Sequence, residues 1–122
     1  MDKQTILIVD DSESIRAVII FVLEDAGYKV LFAENGQDAL GMLNGRSIDL
    51  IITDLHMPVM DGIDFIKHAR ELDAYKSTPI LFLTTDNADN MKTEAKKAGA
   101  TGWIIKPFVH EKFLAAVRKV IK

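Results

Sequence analysis

Four places in this 122-residue chain put a reactive side chain directly after a short apolar run: Asp10 with Asp11, Asp54, Thr84 with Thr85, and Lys106 before Pro107. Carboxylates that meet within a few ångströms repel one another and stay ionised only around a cation. An all-oxygen donor set favours Mg²⁺ or a similarly hard ion, and Mg²⁺ keeps waters that a substrate can replace. Phosphoryl transfer asks for such a metal, a positioned nucleophile and extra positive charge on the equatorial oxygens. A carboxylate can serve as that nucleophile and become an aspartyl phosphate. Asp54 is the candidate, with Lys106 neutralising charge from the opposite side and the Thr84 hydroxyl donating to a phosphoryl oxygen. Singly, each part has a plainer explanation: an acidic pair after a strand is usually a turn or cap, and Lys106 alone is an ordinary solvated lysine. Only their joint placement at strand ends gives them chemical meaning.

That placement depends on the elements between them. Short β-branched runs at Thr5–Val9, Lys29–Ala33, Leu50–Thr53, Ile80–Leu83 and Trp103–Ile105 alternate with segments of helical period. The runs are nearly all apolar, as in strands buried on both faces of a parallel sheet. Ser12 and Asp61 are candidate N-caps, and Gly27 and Gly99 close the first and fourth helices. Phe113, Val117, Val120 and Ile121 form one stripe on the last helix. The reading is an α/β domain with a doubly wound five-stranded parallel sheet and five helices, spanning 1–122 without an output domain. Ligands of such sheets bind at the carboxyl ends of the strands. Periodicity leaves the strand order open; the flavodoxin-like order 2-1-3-4-5 would make the ends of strands 1, 3, 4 and 5 neighbours. The second run ends in Ala33 and Glu34, the least committed of the five.

The segments Ile6-Leu-Ile-Val-Asp-Asp-Ser12, Asp54-Leu-His-Met-Pro-Val-Met-Asp-Gly62, Leu83-Thr-Thr85 and Lys106-Pro-Phe108 resemble the receiver domains of two-component signalling, in order and with family spacing. The nine-residue stretch from Asp54 is the most specific of them. The resemblance implies that Asp54 is the phosphoacceptor and that Asp10 and Asp11 hold Mg²⁺, with Asp11 the direct ligand. It implies further that the His56 carbonyl ligates the metal, that Thr84 and Lys106 contact the phosphoryl group, and that the Lys106–Pro107 bond is cis. The family's switch position, commonly Tyr or Phe, is Trp103 here; the resemblance implies that Thr84 moves toward the phosphoryl group and that the ring rotates into the vacated space. His56 and Asp86 stand where receivers tune hydrolysis, and are expected to pair across the site mouth. The stretch Ala98 to Phe108 looks most like the stand-alone chemotaxis regulators. The implied partners are a histidine kinase and a phosphatase, with a flagellar motor protein as the target and a histidine phosphotransfer protein as the alternative.

Composition narrows the field. A hydrophobic fraction of 48% and a charged fraction of 27% are ordinary for a folded domain. The net charge of −3, with basic residues spread along the chain, predicts no nucleic-acid footprint. The absence of cysteine removes thiolate metal sites and Cys nucleophiles. No apolar run approaches the ~20 residues of a membrane span, and no targeting signal is present, so the cytoplasm is the expected compartment. A phosphohydrolase working through an aspartyl phosphate would want an Asp-x-Asp pair and a cap domain; an FMN-binding module would want a Gly- or Ser-rich phosphate loop in place of Asp10-Asp-Ser-Glu-Ser14. On the first helix Ile15, Val18, Ile19, Val22, Leu23 and Ala26 are expected to face inward. Ile20 and Phe21 fall outside that arc and suggest a contact surface. The fourth helix, with only Ala88, Met91, Ala95 and Ala98 inward, is expected to be the most easily displaced.

Overall fold

The apolar runs become the strands of one parallel sheet. A computed structural model describes residues 3–84 and 89–121. In chain order its elements are β1 (Thr5–Val9), α1 (Glu13–Asp25), β2 (Lys29–Ala33), α2 (Gly36–Met42), β3 (Leu50–Asp54), α3 (Gly62–Glu71), a short 3₁₀ turn (Asp73–Tyr75), β4 (Ile80–Thr84), α4 (Asp89–Ala98), β5 (Gly102–Ile105) and α5 (His110–Val120). The sheet order is β2-β1-β3-β4-β5 with every pairing parallel, as the flavodoxin-like order requires. Successive side chains of a strand alternate between faces. Ile6, Ile8, Leu50, Ile52, Leu81, Leu83 and Ile104 therefore meet Ile19, Val22 and Leu23 of α1 and Phe113 and Val117 of α5. On the other face Leu7, Val9, Ile51 and Ile80 meet Ala39 of α2 and Phe65, Ile66 and Ala69 of α3.

The expected caps are in place. Ser12 Oγ accepts the Ile15 N–H at 3.3 Å and Asp61 Oδ1 accepts the Asp64 N–H at 2.9 Å. Gly27 and Gly99 have φ of +99° and +119°, the left-handed conformation that lets the chain leave a helix without a Cβ penalty. Asn35 caps α2 in the same way, its Oδ1 accepting the Asp38 N–H at 2.8 Å.

Two expectations fail. Burial on both faces holds for β1, β3 and β4 but not for the sheet edges: β2 leaves Phe32 exposed and β5 leaves Trp103 46% exposed. Edge strands have a neighbour on one side only, so apolar composition does not guarantee cover. On α1, Val18 is 47% exposed, because its end of the helix faces a groove beside Pro107, Phe108 and His110 and not the sheet. Arg16 takes the inward place instead, buried at 8% exposure. Phe21 lies outward as expected, 68% exposed.

Helix α4 docks through small side chains. Ala95 packs on Phe82 and Leu55, and Ala98 joins the α2/α3 core. Its C-terminal end is held by Arg70 of α3, whose Nε and Nη2 donate to the Gly99 carbonyl at 3.0 and 2.8 Å and whose Nη1 donates to Tyr75 and Thr78 carbonyls at 2.6 Å. Of the expected inward stripe, Ala88 and the side chain of Met91 lie outside the described residues. Among the described residues no helix is long and apolar enough to cross a membrane.

Candidate functional site

Register brings the reactive residues together. Val9 pairs with Thr53 and Asp54 with Leu83, which sets Asp10 level with Asp54 at the carboxyl end of the sheet. Thr84 pairs with Ile105, so Lys106 emerges one step beyond it. The ladder continues past the strand ends: Asp10 N–H donates to Ala33 O at 3.2 Å and Lys106 N–H to Thr84 O at 2.8 Å. Strand alternation then sorts the side chains. Asp10, Asp54 and Lys106 share the face of Ile8, Ile52 and Ile104, covered by α1 and α5; Thr84 shares the face of Phe82 and Trp103, where α4 packs.

Asp10 is fully buried and Asp54 is 8% exposed, while Asp11 faces solvent. Each of the three offers a carboxylate oxygen within 4.8 Å of the others. The ammonium of Lys106, mostly buried, lies 3.2 Å from Asp54 Oδ2 and 3.5 Å from Asp10 Oδ2. Lys106 thus sits against two of the acids. Asp54 Oδ1 accepts the backbone N–H of Leu55 at 2.8 Å and of His56 at 3.4 Å, which leaves Oδ2 as the oxygen facing the ammonium. Asp10 Oδ1 accepts the Ser12 N–H at 2.9 Å. Burial holds the Asp10 carboxyl above its ordinary range and the nearby Asp54 charge adds to this; the Ser12 amide and Lys106 oppose it.

The loop from β3 to α3 is braced against the acceptor. Gly62 N–H donates to Leu55 O at 2.9 Å, and a Cβ at Gly62 would collide with the Asp54 carbonyl, so only glycine allows this approach. Within the loop Val59 adopts φ +70°, unusual for a β-branched residue. His56 is exposed, and the Lys106–Pro107 bond is cis. Asp86 and Thr85 lie outside the described residues. On the other face of the sheet the half-exposed Trp103 ring lies 6.2 Å from Phe82 and carries the Lys92 ammonium 4.7 Å from its centre.

One residue of this neighbourhood was missed by sequence reasoning. Arg16 donates from Nη1 to the Asp10 carbonyl at 2.8 Å. The spacing Arg16–Ile19–Leu23 is an i, i+3, i+7 stripe and would have placed it inward; the usual exposure of arginine argued the other way.

The donor set fits a hard divalent cation. It consists of oxygens only, its three negative charges outnumber the one ammonium, and the exposed Asp11 leaves room for water. A model of the response regulator receiver domain family matches residues 6–118. The chemotaxis protein CheY of Pseudomonas aeruginosa is 34% identical over 118 residues, covering 96% of this chain and 95% of its own length. Chemotaxis protein CheY4 of Vibrio cholerae has 44% identity and a TM-score of 0.95, with 98% of this chain and 100% of that one covered. The receiver domain of a Pseudomonas aeruginosa sensor histidine kinase, solved with a magnesium ion coordinated in its active-site cleft, has 25% identity and a TM-score of 0.90, and the coverage is 98% of each chain. The family model spans nearly the whole sheet and its helices, and the chain is a member of the response regulator receiver domains.

Proposed function

We propose that the protein is a phosphorylation switch of the chemotaxis type, in which Asp54 accepts a phosphoryl group from a histidine kinase in the cytoplasm. The observation that carries this reading is the asymmetry at Asp54. One carboxylate oxygen is held by two backbone amides while the other faces the Lys106 ammonium at 3.2 Å, beside two further acids. Oδ2 is therefore the nucleophile. Its lone pair attacks the phosphorus of a phosphohistidine, the P–N bond breaks, and the electron pair leaves with the imidazole, which takes a proton from solvent. Reversal to the resting state is attack by water: the P–Oδ2 bond breaks, the carboxylate is restored and inorganic phosphate leaves.

Asp10, Asp11 and Asp54 would hold Mg²⁺ through carboxylate oxygens, with the His56 carbonyl as a further ligand; when bound, the ion supplies positive charge that offsets the phosphoryl oxygens. Lys106 loses the Asp54 carboxylate when Oδ2 is esterified, and its ammonium then pairs with a phosphoryl oxygen. The Thr84 hydroxyl donates to another. Because Thr84 shares a face with Phe82 and Trp103, its movement is felt at the indole, and the output surface is built from α4, β5 and α5. His56 and Asp86 slow the attacking water. The target is a flagellar motor protein, and a phosphatase ends the signal.

The test is labelling with acetyl phosphate. Asp54→Asn and chelation are each expected to abolish it, and Lys106→Met to slow it by about a hundredfold, the usual loss when a preorganised charge is removed. Unchanged labelling of Asp54→Asn would overturn the reading. The loaded protein is then offered a motor peptide and a histidine phosphotransfer domain. Tightened binding to the first supports the chemotaxis output, while fast transfer to the second makes the chain a phosphorelay intermediate.

A further inference from the structure

Helix α1 buries one charged side chain, Arg16, for which the chemistry above has no use. Desolvating a guanidinium is costly, so a buried one needs specific partners. Its Nη1 donates to the Asp10 carbonyl at 2.8 Å, its Nη2 lies 3.9 Å from Glu34 Oε1, and its Cζ sits 5.3 Å from the centre of the Phe32 ring. Glu34 is the residue that follows β2. The carbonyl is the informative partner. Asp10 C=O and the N–H of Asp11 belong to one planar peptide unit. Holding that oxygen fixes the plane, and with it the direction in which Asp11 leaves the sheet. Asp10 is held at its other end by the Ser12 amide, so the two acids are aimed from both sides of one turn.

We infer that Arg16 is a positioning residue for the divalent-cation site: it aims Asp10 and Asp11 through their shared peptide without touching the ion, and Glu34 and Phe32 hold it there. The inference rests on the reading that Asp10, Asp11 and Asp54 bind Mg²⁺. Charge and geometry make opposite predictions here. As a charge, Arg16 repels a nearby cation, and removing it would tighten binding. As a brace, it keeps the carboxylates convergent, and removing it weakens binding. Groups that orient metal ligands typically change affinity by tenfold or more.

The experiment is calorimetric titration with MgCl₂ of the parent, Arg16→Met, Arg16→Lys and Val22→Ala, each with its thermal midpoint measured. Val22 is buried on the same helix but packs in the core, and serves as a destabilised control. Arg16→Met is expected to weaken Mg²⁺ binding about tenfold and Arg16→Lys by less, since lysine keeps the charge but loses the planar fork. Val22→Ala is expected to melt earlier with unchanged affinity. A loss of less than about threefold in folded Arg16→Met, or any gain, overturns the proposal. Should Arg16→Met not fold, Arg16→Lys decides by the same threshold. A parent that takes up no Mg²⁺ would instead refute the metal reading on which the proposal stands.

Discussion

Asp10 has a partner at every polar atom: its N–H on Ala33 O, its carbonyl on Arg16, one carboxylate oxygen on the Ser12 amide and the other 3.5 Å from Lys106. It is nevertheless fully buried, and burial is the largest cause of its raised pKa. The sign follows from linkage. A carboxyl whose folded pKa lies above its unfolded value favours folding at low pH, and that contribution is lost as pH rises through the folded pKa. At neutral pH without Mg²⁺, ionised Asp10 therefore works against the fold. Asp10→Asn is expected to raise stability there by about 1 kcal/mol, because it removes a buried charge that Asp54 repels while Lys106 keeps Asp54 as its partner. The gain should shrink as pH falls through the Asp10 pKa, and denaturant melts at several pH values check it. Asp10, Asp54 and Lys106 were legible because each follows an apolar run. Arg16 was not, since residue type and helical spacing pointed in opposite directions.

At the scale of elements, burial separates the helices. Helix α3 buries Phe65 and Ile66, whereas the described side chains that α4 buries on the same side of the sheet are Ala95 and Ala98. Phe65→Ala is expected to cost about 3–5 kcal/mol, a full core truncation. Less apolar area means less burial free energy per helix. Native-state hydrogen exchange is expected to show amides of α4 opening with a smaller free energy than those of α3; equal values would remove the idea that α4 moves first. Gly62→Ala tests the other end of α3. Its methyl group has no space above the Asp54 carbonyl, so a loss of about 1–3 kcal/mol is expected, together with slower labelling of Asp54. Strand positions and caps were legible to within a residue, because apolar runs, Ser12, Asp61 and the two glycines carry local signals. The exposure of Val18 was not, since it depends on where the loop after β5 passes.

For the whole molecule, strand order was the piece that periodicity could not supply; it entered through resemblance, and the parallel register then fixed which side chains meet. Phe21 is exposed one helical turn beyond Val18, and Val18 borders the groove lined by Pro107, Phe108 and His110. Phe21→Ser is expected to leave labelling by acetyl phosphate unchanged and to slow transfer from a histidine kinase by about fivefold or more, the effect of one apolar anchor at an interface. Loss of both rates together would mean a folding defect, and loss of neither would leave the patch without a role.

The sheet itself divides the labour. In the proposed switch, esterification falls on the side roofed by α1 and α5, whereas Phe82, Trp103 and α4 lie beneath the opposite side, and Thr84 stands at the edge between them. News of the reaction must therefore pass through the thickness of one β-layer at a single hydroxyl-bearing side chain. It follows that loading and reporting are separable: Thr84→Ala should still take up phosphate, more slowly, yet its indole emission should no longer respond. Such a protein would be charged but mute.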